Sequence, residues 1–110
     1  MKEVKSQFER IVQEDFNQFR EISKTFMKVE PTDIDTLYQL SIDSWLLATR
    51  WSEIQSNASK MAIDFDINKT DFKDYCHQKY RQLQEMQITC RSWYRLAKED
   101  ERLMKGLDLT

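Results

Sequence analysis

The sequence predicts an all-α protein, an antiparallel three-helix bundle of long, coiled-coil-like helices over about 2–29, 32–63 and 70–105. Three observations carry this. The 110 residues include one Gly and one Pro, where average usage would place about a dozen of the two together. Sheets and loop-rich folds need turn residues, so their scarcity implies few connections and long elements. Apolar residues recur at steps of three and four along the chain, the period of a helix with a buried face. The hydrophobic fraction of 40% and charged fraction of 33% suit a globular chain rather than a disordered one. The length corresponds to a single domain, 1–110, able to bury roughly two-thirds of its unfolded surface without a metal or disulfide staple.

The first helix takes its apolar seam from Val4, Phe8, Ile11, Val12, Phe16, Phe19, Ile22, Phe26 and Val29. It should stop at Glu30-Pro31, because proline pushes the preceding residue out of the α region. Thr32 is positioned to cap the second helix, with Asp35 three residues on, in a capping-box-like arrangement. The seam of that helix is Leu37, Leu40, Leu47, Trp51, Ile54, Ala58, Met61 and Phe65, close to a heptad repeat. Ser56-Asn57-Ala58-Ser59 is its weak point, although one continuous helix to about Ile63 is the preferred reading. Asp64–Lys69 forms the second connection, and Asn68 or Thr70 can cap the third helix. The third seam is Phe72, Cys76, Leu83, Met86, Cys90, Trp93, Ala97 and Met104. Gly106 fits the left-handed position just past a helix end, leaving 107–110 as a short tail. In outline, a triple-helical chain of this length with tryptophans in its seams resembles spectrin-type repeats, in architecture alone and without a shared motif.

Charge is distributed unevenly around a net −2. Residues 1–29 are net +1, residues 30–68 net −5, and residues 69–110 net +2. Such a balance gives no global pull toward nucleic acid or membrane. The second helix is the least charged and has a second apolar face, Ile34, Tyr38, Ile42, Trp45 and Leu46. Either this helix lies between the other two and needs both faces, or the second face is left over. A left-over face containing Tyr38, Ile42, Trp45 and Leu46 would dock a partner or a second copy. On the third helix, Arg91, Arg95, Lys98, Arg102 and Lys105 form a basic stripe. It is either a solvated face suited to the helix dipole or a surface for an anion or an acidic partner.

The residues offer no chemistry. His77 is the only histidine, and its neighbour Cys76 points about 100° away on a helix, so the two do not make a dyad. A single glycine excludes glycine-rich phosphate loops. Asp64, Asp66 and Asn68 open like an EF-hand loop, but Lys69 and Tyr75 stand where the glycine and the bidentate glutamate belong. Cys76 and Cys90 sit on the seam two heptads apart and read as core residues. Asp15 and Lys79 fall near seam positions and could pair between helices. No catalytic residue, metal site or cofactor is expected.

The expected function is therefore a non-catalytic protein–protein interaction module: an adaptor, an assembly subunit or a small inhibitor of a larger machine. Small phage- or plasmid-type accessory proteins share this outline. The expected partner is another protein, with a homodimer as one form. The alternative is a nucleic-acid-binding protein using the basic stripe. With no secretory core at the N-terminus and Trp45–Ala48 as the longest apolar run, no membrane role is expected. The expected compartment is the cytoplasm, or the host cytoplasm for a viral chain.

Overall fold

The computed structural model describes residues 2–108, with side chains described from 7 to 106. Within these the chain is all-α and contains no strand. Five helices replace the three expected: α1 (Lys2–Ile11), α2 (Gln13–Lys28), α3 (Ile34–Ser56), α4 (Ala58–Phe65) and α5 (Lys69–Asp108). The extra helices arise at two kinks. Val12, next to β-branched Ile11, leaves the helical region at φ −115° and ψ 36°. The ladder still crosses the joint, with Val12 N donating to Phe8 O at 3.1 Å and Phe16 N to Val12 O at 2.8 Å. Asn57 sits at φ −95° and ψ 8°. Its side-chain amide donates to Glu53 O at 3.1 Å, competing with the backbone in the manner of short polar side chains. The predicted continuity through Ser56–Ser59 is thus corrected to a kink at Asn57.

The connections follow local chemistry. Asp33, rather than Thr32, caps α3, its carboxylate accepting from Thr36 N at 3.2 Å. Pro31 and Thr32 are used up in a turn, closed by Asp33 N donating to Glu30 O at 3.0 Å. At the end of α4, Asp66 takes the left-handed conformation at φ 52°. Ile67 N then donates to Ala62 O at 3.0 Å and Asp66 N to Ile63 O at 3.4 Å, a Schellman pair of bonds. Asn68 caps α5, with its side-chain oxygen accepting from Asp71 N at 3.0 Å. Gly106 lies inside α5, which runs on to Asp108, so it is not the stop expected of it. The rest of the expected tail, and the seam position Val4, fall outside the described side chains.

α3 and α5 form the closest pair and run in opposite directions, since Tyr38 meets Tyr94 near one end and Trp51 meets Tyr75 toward the other. α1 and α2 run with α5: Phe8 touches Phe72 and Tyr75, and Phe26 stacks on Trp93. The main core cluster gathers Phe8, Leu47, Trp51, Ile54, Phe72 and Leu83, among others. A smaller one around Leu37, Leu40 and Cys90 sits under the α2–α3 turn. Among the described residues two buried polar atoms, Trp51 Nε1 and the Tyr75 hydroxyl, find no hydrogen-bond partner. Burial, the nearby Glu9 and Cys76 push the Tyr75 hydroxyl well above its ordinary pKa. Such orphaned groups cost stability, so the apolar burial around them must outweigh them.

α5 outruns its neighbours. Tyr94 already faces Tyr38, near the start of α3. No described residue after Cys90 is buried, and Leu103 and Met104 are exposed. Met104 is therefore not the core residue its seam position predicted. Phe65, last on the second seam, is half exposed for the same reason at the other end.

Candidate protein-docking surface

Side chains on α3 divide sharply between two faces. Leu37 and Trp51 have 0% exposure, and Leu40, Leu47 and Ala48 are buried with them. Ser44 lies among them without penalty, because its hydroxyl donates to Leu40 O at 2.6 Å. On the opposite face Tyr38 is 52% exposed, Trp45 53% and Leu46 54%, with Ile42 part-buried. The predicted set therefore shares one helix but not one direction. Tyr38, Ile42 and Trp45 follow a single stripe at steps of four and three. Leu46 lies on the shoulder toward α2, beside Ile22 and Asp43.

The stripe continues onto α5. Tyr38 packs on Tyr94 with ring centroids 5.6 Å apart, and Lys98 Nζ lies 6.0 Å from the Tyr94 ring. Through Tyr94 and Lys98 the aromatic stripe meets the basic stripe. Arg91, Arg95, Lys98, Arg102 and Lys105 are all exposed. Their surroundings differ. Lys105 pairs with Glu101 at 3.3 Å. Among the described residues Arg91, Arg95 and Arg102 make no ion pair. Arg102 and Lys105 ride on the part of α5 beyond its neighbours, whereas Arg91 and Arg95 flank the Tyr94 end of the aromatic stripe.

The shoulder next to Leu46 was not foreseen from the sequence. Arg50 Nε reaches across to Asp15 Oδ1 at 3.3 Å and Nη1 to Glu53 Oε2 at 3.7 Å, so Asp15 pairs with Arg50 of α3 rather than with Lys79. Lys79 lies instead over the rings of Phe19 at 4.6 Å, Tyr75 at 5.3 Å and Phe16 at 5.8 Å, a use of its charge as a cation–π cover. Acids seven apart on α2, Glu14 and Glu21, and eight apart on α3, Asp35 and Asp43, were the available signal for this side.

Both cysteines are free and buried. Burial pushes the Cys76 thiol up to about 12 and raises Cys90 as well, which suppresses the nucleophilic thiolate. His77 is exposed, stacked against Tyr80 at 6.4 Å. Among the described residues no group of three or more His, Cys, Asp or Glu is placed to hold a metal ion. Nor is any described helix long and apolar enough to cross a membrane. No protein-family model matches the chain, and no curated protein or solved structure matches it either.

Proposed function

We propose that the protein is a non-catalytic binding module, an adaptor, assembly subunit or small inhibitor, that docks another protein on the Tyr38, Ile42 and Trp45 stripe of α3. In this reading the five helices act as three rods, α1–α2, α3–α4 and α5, in an up-down-up antiparallel bundle. One observation carries it: large apolar side chains stand half exposed on a helix whose other face is sealed. Burial between two helices would have explained a two-faced apolar α3, but Tyr38, Trp45 and Leu46 retain 52%, 53% and 54% of their exposure. Contiguous exposed aromatic surface is characteristic of interaction sites, and Trp and Tyr are common energetic anchors there.

Arg91, Arg95 and Lys98 border the stripe, so a partner with an acidic margin is favoured and its encounter rate should fall with salt. A second copy on the same stripe is the homodimer form of this reading, and light scattering distinguishes it. Protein is preferred to nucleic acid because the exposed stripe of α3 is aromatic and aliphatic and the chain carries a net charge of −2.

Nuclease-treated co-purification from the native cell, comparing wild type with Trp45→Asp, tests the proposal. Loss of an anchor of this kind weakens binding by about 2 kcal/mol or more, roughly thirtyfold. A protein captured by wild type and lost with Trp45→Asp, both helical by circular dichroism, is the expected result. Retention of the same protein, or capture of nuclease-sensitive material only, would sink the reading and move attention to the basic stripe.

A further inference from the structure

A groove lined only by α2 and α3 runs beside Leu46. Its two sections, of about 540 and about 420 Å³, share Glu21, Ile22 and Asp43 and so form one channel. Ile22 and Leu46 supply its accessible apolar side chains, over the buried Leu40 and Leu47 at its base. From Asp35 to Arg50 it follows roughly 22 Å of α3, about four helical turns. Each wall carries acids about two turns apart: Glu14 and Glu21 on α2, Asp35 and Asp43 on α3. The cation in the channel, Arg50, is engaged by Asp15 and Glu53. Lys24 approaches Glu21 only at 3.9 Å between two exposed side chains, a contact of little strength in water. The channel therefore combines an apolar base with net negative walls.

We propose that this groove takes a basic amphipathic helix of another protein. A helix laid in a groove presents one apolar row, at i, i+3, i+4 and i+7, with flanking residues turned to the two walls. Here the row meets Ile22 and the half-exposed Leu46, with the buried Leu40 and Leu47 beneath them, and Lys or Arg on its two flanks meet Glu14 and Glu21 on one side and Asp35 and Asp43 on the other. An acidic helix or a nucleic acid is repelled by the same walls. The inference goes beyond the aromatic-stripe reading, which uses the neighbouring face of α3. With both faces occupied, α3 would bridge a partner with an acidic margin and a partner with a basic helix, as an adaptor does.

The test uses the full chain and a labelled synthetic peptide of about five turns, with leucines at helical spacing flanked by lysines. A control peptide carries glutamate for each lysine. By fluorescence anisotropy the lysine peptide should bind wild type, more tightly at low salt. Glu21→Lys/Asp43→Lys should weaken it by at least about tenfold, and the milder Glu21→Gln/Asp43→Asn by less, in the same direction. Asp64→Lys/Asp74→Lys, with the same change in net charge at the far end, should bind like wild type. Equal losses in the two lysine double variants, or equal binding of the glutamate peptide, would overturn the proposal. Self-association of wild type that vanishes in Glu21→Lys/Asp43→Lys would overturn it too, by placing a second copy in the groove.

Discussion

Replacing Trp51 by alanine should lower stability by about 3–5 kcal/mol, the usual cost of deleting a large aromatic from a packed core. Trp51 has 0% exposure and sits edge-on to Tyr75, with centroids 5.8 Å apart and planes at 70°. It is held in the main cluster together with Leu47, Ile54 and Phe72. Because α3 is packed along α5, the surroundings cannot easily collapse into the space, and the cavity term persists. One effect acts the other way: the indole N–H is a buried donor with no partner among the described residues, and its removal returns about 1 kcal/mol. The lower half of the range is therefore expected, equivalent to a melting point about 10–20 °C lower for a domain of this size. Urea denaturation followed by circular dichroism measures it. A loss under about 1 kcal/mol would mean that Trp51 is not the centre of the core.

A different kind of loss is expected from Phe8→Ala. Phe8 is 3% exposed, its ring 5.3 Å from Phe72 and 5.5 Å from Tyr75. A buried Phe→Ala change costs about 3–5 kcal/mol where the element stays docked. α1, however, is separated from α2 by the Val12 kink and is a helix of 10 residues, too short to persist alone in water. The expected outcome is that α1 undocks as a unit. Amides of residues 2–11 should then exchange with solvent about a hundredfold faster or more, while those of the middle of α3 slow or quicken by much less. Hydrogen exchange resolved by segment reads this directly. A uniform acceleration through α3 and α5 would show instead that α1 belongs to one cooperative unit with them.

Much of the core was legible in the spacing of apolar residues. The seam residues Leu37, Leu40, Leu47, Trp51, Ile54 and Ala58 are all buried, as are Phe72, Cys76, Leu83, Met86 and Cys90. Periodicity reports which face of a helix is apolar. It does not report whether a neighbour reaches that far, which is why Phe65 and Met104 hold seam positions and remain exposed. Nor does it register a kink, because at Val12 and Asn57 the hydrogen bonds and the apolar pattern both continue across the joint. Thr32 and Asp33 are both good caps, and the turn at Pro31 decides between them. The site was legible as a set of residue types. Whether Tyr38 and Trp45 were a second buried face or a free one depended on where α2 lies, and it lies on the shoulder marked by Asp15 and Arg50. The acid-walled groove was hidden because its two walls come from separate helices whose register the sequence does not carry.

α3 buries one face and leaves the other free, with Trp45 on the free face. Acrylamide quenching of tryptophan fluorescence tests it most directly, by comparing wild type with Trp45→Phe. Trp51 is buried, Trp93 part-buried and Trp45 exposed. Wild type should show one readily quenched component that disappears in Trp45→Phe, leaving emission that resists the quencher. If Trp45→Phe leaves the quenching curve unchanged, Trp45 is shielded in the free protein, and the docking face proposed for α3 is already covered.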